Sequence, residues 1–163
     1  MAANRSSKHA LLEAAVRAHL DSAATGATQI SQLDLTALGA DRTLLRTIVV
    51  GLGRWFLDEM ERMKDLTRVL EHDGQRMGEL TGEVKTNIVD LSYRAATRLI
   101  ATLTPEARDP EATAVLILGA LVALRRTAWT FGSPPLDIDD DRALAAWTEL
   151  TLAALDAARD HRT

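Results

Sequence analysis

A chain of 163 residues, 47% hydrophobic and 26% charged, has the balance of a folded globular protein, and its length suits one domain with its own core. It has no cysteine, which excludes disulfides, thiolate metal sites and a cysteine nucleophile. The formal net charge of −4, with 16 of the 19 basic residues arginine, lacks the basic excess of a protein that grips nucleic acid unaided.

Alanine and leucine fill 52 positions, isoleucine and valine only 14. Ala and Leu lose little rotamer freedom in a helix and β-branched residues lose more, so the bias favours helix. No run approaches the roughly 18 consecutive apolar residues of a membrane span. The start, Met1 to His9, lacks the apolar stretch of a signal peptide. A cytoplasmic protein with no membrane partner is expected.

Helical periodicity recurs along the chain and period-2 alternation does not. A first segment runs from about Lys8 to Ser22, with Leu11, Leu12, Ala15, Val16, Ala18 and His19 along one side, and ends at Gly26. A short one follows from Ile30 to Leu38, stopped by Gly39. The third begins at Asp41, a residue suited to an N-cap, and continues to about Met63. Its stripe is Leu45, Ile48, Val49, Leu52, Trp55, Phe56, Met60 and Met63. Gly51 and Gly53 interrupt it, marking either a bend or a close approach of another element to the backbone.

A fourth stretch, Lys64 to Glu71, closes at Asp73-Gly74. The fifth spans about Gly78 to Leu103 with Leu80, Val84, Ile88, Leu91, Ala95 and Leu99 in a stripe, and Thr104-Pro105 and Asp109-Pro110 break the chain after it. The sixth, Glu111 to Phe131, is apolar or glycine at every position from Val115 to Leu124, which predicts burial on nearly all sides. Gly132-Ser133-Pro134-Pro135 turns the chain. Asp139, Asp140 and Asp141 then open a closing helix that ends near Arg159, negative charge suiting a helix N-terminus.

The sixth segment and the closing helix are rich in small residues: Gly119, Ala120 and Ala123 on one, Ala143, Ala146, Ala153, Ala154, Ala157 and Ala158 on the other, beside Leu144, Trp147, Leu150 and Leu155. Two such helices could supply half of a four-helix interface that a two-fold homodimer completes. The alternative is a tight helical hairpin within one chain. The expected interface comprises Leu116, Gly119, Ala120, Ala123, Trp147, Leu150, Thr151, Ala154, Leu155 and Ala158.

Lys8-His9-Ala10-Leu11-Leu12-Glu13-Ala14 resembles the Lys-x-x-Leu-Leu stretch opening the first regulatory-domain helix of the tetracycline-repressor (TetR/AcrR-like) family. Leu118 to Leu124 with Gly132-Ser133-Pro134-Pro135-Leu136-Asp137 resembles that family's penultimate helix and the turn after it. Ala143-Leu144-Ala145-Ala146-Trp147 to Leu155 resembles its last helix. The resemblance implies an all-α helical-bundle domain of about six helices over 8–160, after a disordered segment 1–7, with the last two helices forming a dimer four-helix bundle. It further implies the effector-binding part of a bacterial transcriptional repressor that senses a small apolar or aromatic ligand. Only seven residues precede Lys8 and the recognition-helix pattern is absent, so DNA contact is expected only through a helix-turn-helix head outside these residues. A stand-alone ligand-binding or heterodimerising module without DNA binding is the alternative.

One stretch, Leu35-Thr36-Ala37-Leu38-Gly39-Ala40 followed by Leu45 and Ile48, imitates a helix-turn-helix. Asp34 and Leu35 occupy the wrong kinds of position, and Arg42 and Arg46 are the basic residues nearby, so it reads as a connecting helix. A ligand pocket is expected between facing helices, lined by Leu52, Trp55, Phe56, Met60 and Met63, with Tyr93 and Thr97 one turn apart as hydrogen-bonding groups and His19 and Thr127 interrupting apolar faces. Taken singly, each of these reads first as core; taken as a group, they are expected to leave a cavity. Arg125-Arg126 could clamp an anionic ligand group or pair with a carboxylate across the dimer; pairing within the chain or snorkelling to the surface is the plainer role. His9, His19, His72 and His161 show no metal spacing. No phosphate loop, no Gly-x-Ser-x-Gly and no convergent carboxylates occur, so no metal, cofactor or catalytic residue is expected.

Overall fold

The computed structural model describes residues 41–73 and 78–157, together with Ala14. Segments 1–7, 8–22 apart from Ala14, and 30–38, residues 35–40 of the helix-turn-helix-like stretch, His19 and Ala158 lie outside the described residues. The protein is all-α: six α-helices and no strand occur among the described residues. They are α1 (Arg42–Arg62), α2 (Lys64–Asp73), α3 (Gly78–Val84), α4 (Asp90–Leu103), α5 (Pro110–Phe131) and α6 (Asp140–Ala157).

The helix ends follow from local chemistry. Asp41 caps α1, its carboxylate accepting from the backbone N–H of Thr43 (2.9 Å) and Leu44 (3.1 Å). Asp109 caps α5 by accepting from Ala112 N–H at 2.8 Å, with Pro110 in the first turn, where its missing N–H is not needed. Gly132 ends α5 at φ +81, donating to Ala128 O at 2.9 Å in a left-handed C-cap. Asp139 caps α6 through Arg142 N–H at 2.8 Å. Between α5 and α6 lies a 3-10 turn, Pro135–Asp137, in which Leu136 and Asp137 also take positive φ.

The stretch expected as one helix over 78–103 contains a π-turn, Lys85–Val89, between α3 and α4. Thr86, Asn87, Ile88 and Val89 are all modest helix formers, and the wider turn takes up an extra residue there. Lys85 Nζ bridges both carboxylate oxygens of Asp90 at 2.9 and 3.0 Å across this turn.

The described residues fall into two compact units, 65–95 and 41–64 with 96–157. The first holds α2, α3, the π-turn and the start of α4, with Val84 buried. The second is built from α1, α5, α6 and residues 96–103 of α4. Its core joins Leu45, Val49 and Leu57 of α1, Ile100 and Leu103 of α4, Ala114 and Leu121 of α5, and Leu144, Trp147, Leu152 and Leu155 of α6.

Within that unit α1 and α6 run antiparallel. Arg42 pairs with Asp156 (2.7 Å), Arg46 with Glu149, and Arg54 with Asp141 (2.7 Å), so the numbers rise on one helix as they fall on the other. The helices meet closely at Gly53, where an added Cβ would lie 2.5 Å from Leu144 Cδ1 and 2.5 Å from Trp147 Cζ3. Of the two readings of the glycines in α1, close approach applies at Gly53, while Gly51 faces open space. Trp147 also donates its indole N–H to Ile117 O of α5 at 2.8 Å, which satisfies its buried polar atom.

Helix α5 corrects the expectation of all-round burial. Ala114, Leu118 and Leu121 are buried, but Val115, Leu116, Ala120 and Ala123 are exposed. Its apolar run serves two faces, one packed on α1 and α6 and one open in the single chain. By length and composition alone α5 could cross a membrane; here its inner face contributes to the core.

Candidate functional site

Two features of the unit containing α1 stand out: an exposed apolar strip on each of α5 and α6, and a half-buried aromatic arc on α1. On α5 the strip carries Leu116, Ala120 and Ala123; on α6 it carries Ala146, Leu150, Ala153 and Ala157. Each set repeats at three- and four-residue spacing, as one side of a helix requires. Leu116 is 75% and Leu150 70% exposed, high for large apolar side chains. The two helices pack together, tied by Trp147 to Ile117 O and by Arg125 to Asp140.

Of the residues expected at a dimer interface, Leu116, Ala120, Ala123 and Leu150 are exposed, and Gly119 and Ala154 are half-buried. Trp147, Thr151 and Leu155 are buried within their own unit instead. They point from α6 into the core, and the Thr151 hydroxyl finds no hydrogen-bond partner among the described residues. Farther along, Phe131 and Leu136 leave large apolar side chains exposed at the turn between α5 and α6.

Of the residues expected to line a pocket, Leu52, Trp55, Phe56, Met60 and Met63 are all half-buried along α1, with Phe56 packed against the core. Thr97 and Thr127 are half-buried in the same unit; Tyr93 is half-buried in the other unit. Burial pushes the Tyr93 phenol above its usual pKa. The buried line of α1 itself is Leu45, Val49, Gly53 and Leu57. Gly53 and Leu57 lie outside the stripe expected from the apolar pattern. Glu59 was also missed: it falls inside that stripe, its side chain only 12% exposed.

Arg125 takes the plainer of its expected roles. Its guanidinium forms a bidentate pair with Asp140 (3.0 and 2.8 Å) at the start of α6 in the same chain. Nearby, Glu61 receives Trp129 Nε1 at 2.9 Å and Lys64 Nζ at 3.0 Å. The indole hydrogen bond, then the lysine, hold the Glu61 carboxyl below its usual pKa. Because folding lowers this pKa, the stabilisation is complete above the usual glutamate value and is lost as pH falls through the folded value. The loss in stability from Glu61→Gln, followed by denaturant titration, should therefore be largest near neutrality and shrink in acid. A difference that does not vary with pH would contradict this assignment.

Comparison of the chain with family models, with curated proteins and with solved structures finds no match.

Proposed function

We propose that this chain is the effector-binding and dimerisation domain of a TetR-like bacterial transcriptional repressor, sensing a small, mostly apolar ligand. The observation that carries this reading is the pair of antiparallel helices, α5 and α6, each with an exposed apolar strip, Leu116, Ala120 and Ala123 on one and Ala146, Leu150 and Ala153 on the other. Small residues let helices approach closely, and the same strips on a second copy would complete a four-helix bundle. The half-buried arc of α1 supports the effector part. DNA contact would come through a helix-turn-helix head outside these residues. Effector would act by binding one dimer geometry more tightly than another and so shifting their populations.

Sedimentation of the wild type should give a dimer. The double variant Ala120→Glu with Leu150→Glu changes exposed positions only, so it should keep its helical circular dichroism and sediment as a monomer. Two carboxylates on each copy would face each other across a desolvated interface. A dimer that persists in the double variant, or a wild type that is monomeric, rejects the interface.

A further inference from the structure

We propose that the turn between α5 and α6 is a docking point for a partner protein whose contact segment sets apolar side chains beside lysine or arginine. Phe131 closes α5 and Leu136 lies in the 3-10 turn after it; they are 78% and 90% exposed. Single exposed apolar residues are ordinary on a surface, but Leu136 stands apart by its backbone. Its φ is 56 and its ψ 23, the left-handed region that costs energy for leucine and little for glycine or asparagine. Asp137 follows at φ 50. With its side chain in water, Leu136 gains nothing from packing in return. The chain around it keeps the strained shape. Gly132 turns the backbone out of α5, Pro134 and Pro135 fix their own φ, and the Asp137 and Ile138 N–H groups donate to Pro134 O (3.1 Å) and Pro135 O (3.2 Å). A leucine is thus held in the open in a fixed pose, and such preorganisation lowers the ordering cost of binding.

The charge along the turn says what fits it. From Gly132 to Asp141 the sequence carries Asp137, Asp139, Asp140 and Asp141 and no basic residue, and all four aspartates are exposed. Asp140 is paired with Arg125, Asp141 with Arg54, and Asp139 caps α6. Asp137, next to Leu136, has none of these roles. Exposed apolar side chains among carboxylates are complementary to apolar side chains flanked by cations. Anionic lipid and nucleic acid would be repelled.

The test is the fluorescence anisotropy of a labelled peptide of leucine and lysine on the full chain, beside versions with glutamate for lysine and with serine for leucine. The leucine–lysine peptide should bind and the other two should not. Leu136→Asn and Phe131→Ser should each weaken it by about tenfold, the loss of one buried apolar side chain. Asp137→Asn should weaken it by about two- to fivefold, as for a charge at the rim. Leu136→Asn should also raise Tm, because asparagine suits this backbone, a gain of stability with a loss of binding. Leu116→Ser, on the α5 strip, should leave the peptide unaffected. The proposal is overturned if the leucine–lysine peptide does not bind, if the glutamate version binds as well, or if Leu116→Ser weakens binding as much as Leu136→Asn. It is also overturned if the turn variants leave binding unchanged, or if Leu136→Asn lowers Tm, since the leucine would then be packed. Two results would overturn it by naming another occupant. Loss of a wild-type dimer in Leu136→Asn makes the turn a contact between copies. Flotation of the wild type but not of Leu136→Asn with phosphatidylcholine vesicles makes it a lipid contact.

Discussion

Trp147→Ala should lower the free energy of unfolding by about 3–5 kcal/mol, the range for truncating a large buried aromatic. Trp147 is buried where α1, α5 and α6 meet, beside Gly53 of α1 and bonded to Ile117 O of α5. Truncation leaves a cavity touching three helices, and none can close it alone without opening its contact with another. Trp147→Phe separates the two contributions: it keeps most of the ring and removes the indole donor, so it should cost less, near the roughly 1 kcal/mol of a typical hydrogen bond plus a small packing loss. Urea unfolding followed by circular dichroism avoids relying on the fluorophore being removed. A loss below about 1 kcal/mol for Trp147→Ala would mean that the helices do not meet on this ring.

Gly53→Ala is the second large effect, and two opposing terms decide its sign. Alanine is better than glycine in a helix interior by about 1 kcal/mol. The new methyl, however, would sit 2.5 Å from both Leu144 Cδ1 and Trp147 Cζ3. Those atoms belong to packed core side chains, and overpacking of this kind costs about 1–3 kcal/mol, so a net loss is expected. Gly51→Ala is the control: it faces open space and should gain up to about 1 kcal/mol by propensity alone. In a Trp147→Ala background the Gly53→Ala penalty should largely vanish, a coupling that a double-mutant cycle reads directly. Equal effects at Gly51 and Gly53 would contradict the close packing of α1 on α6.

What was legible in the sequence divides along physical lines. Helix ends are local, so Asp41, the Asp109-Pro110 break and Gly132 mark them in the sequence as they do in the structure. The all-α class follows from the same local preferences. The core face of α1 is a tertiary matter. An apolar stripe built from large side chains runs through Leu52 and Trp55, whereas the tightest contact is centred on Gly53, which has no side chain to count. The glycines in the stripe raised a close approach as one of two readings, but its partner lay on another helix, in the large ring of Trp147.

Helix α5 shows the opposite failure. Ten apolar or glycine residues in a row, Val115 to Leu124, say that both faces are apolar but not that both are buried. Glu59 escaped notice because a charge inside an apolar stripe reads as a break in the pattern; its burial emerges only when the other helices are placed. The π-turn at Lys85–Val89 has no sharper signal than a run of modest helix formers.

The three ion pairs between α1 and α6 carry every positive end on α1 and every negative end on α6. Being largely exposed, each rewards correct packing only slightly. Misalignment is another matter. Sliding α6 by one turn in either direction would set Arg46 opposite Ala145 or Ala153 and leave its guanidinium without the Glu149 carboxylate. The charges thus act as an alignment key for two helices whose apolar surfaces, made largely of alanine and leucine, would otherwise accept more than one offset.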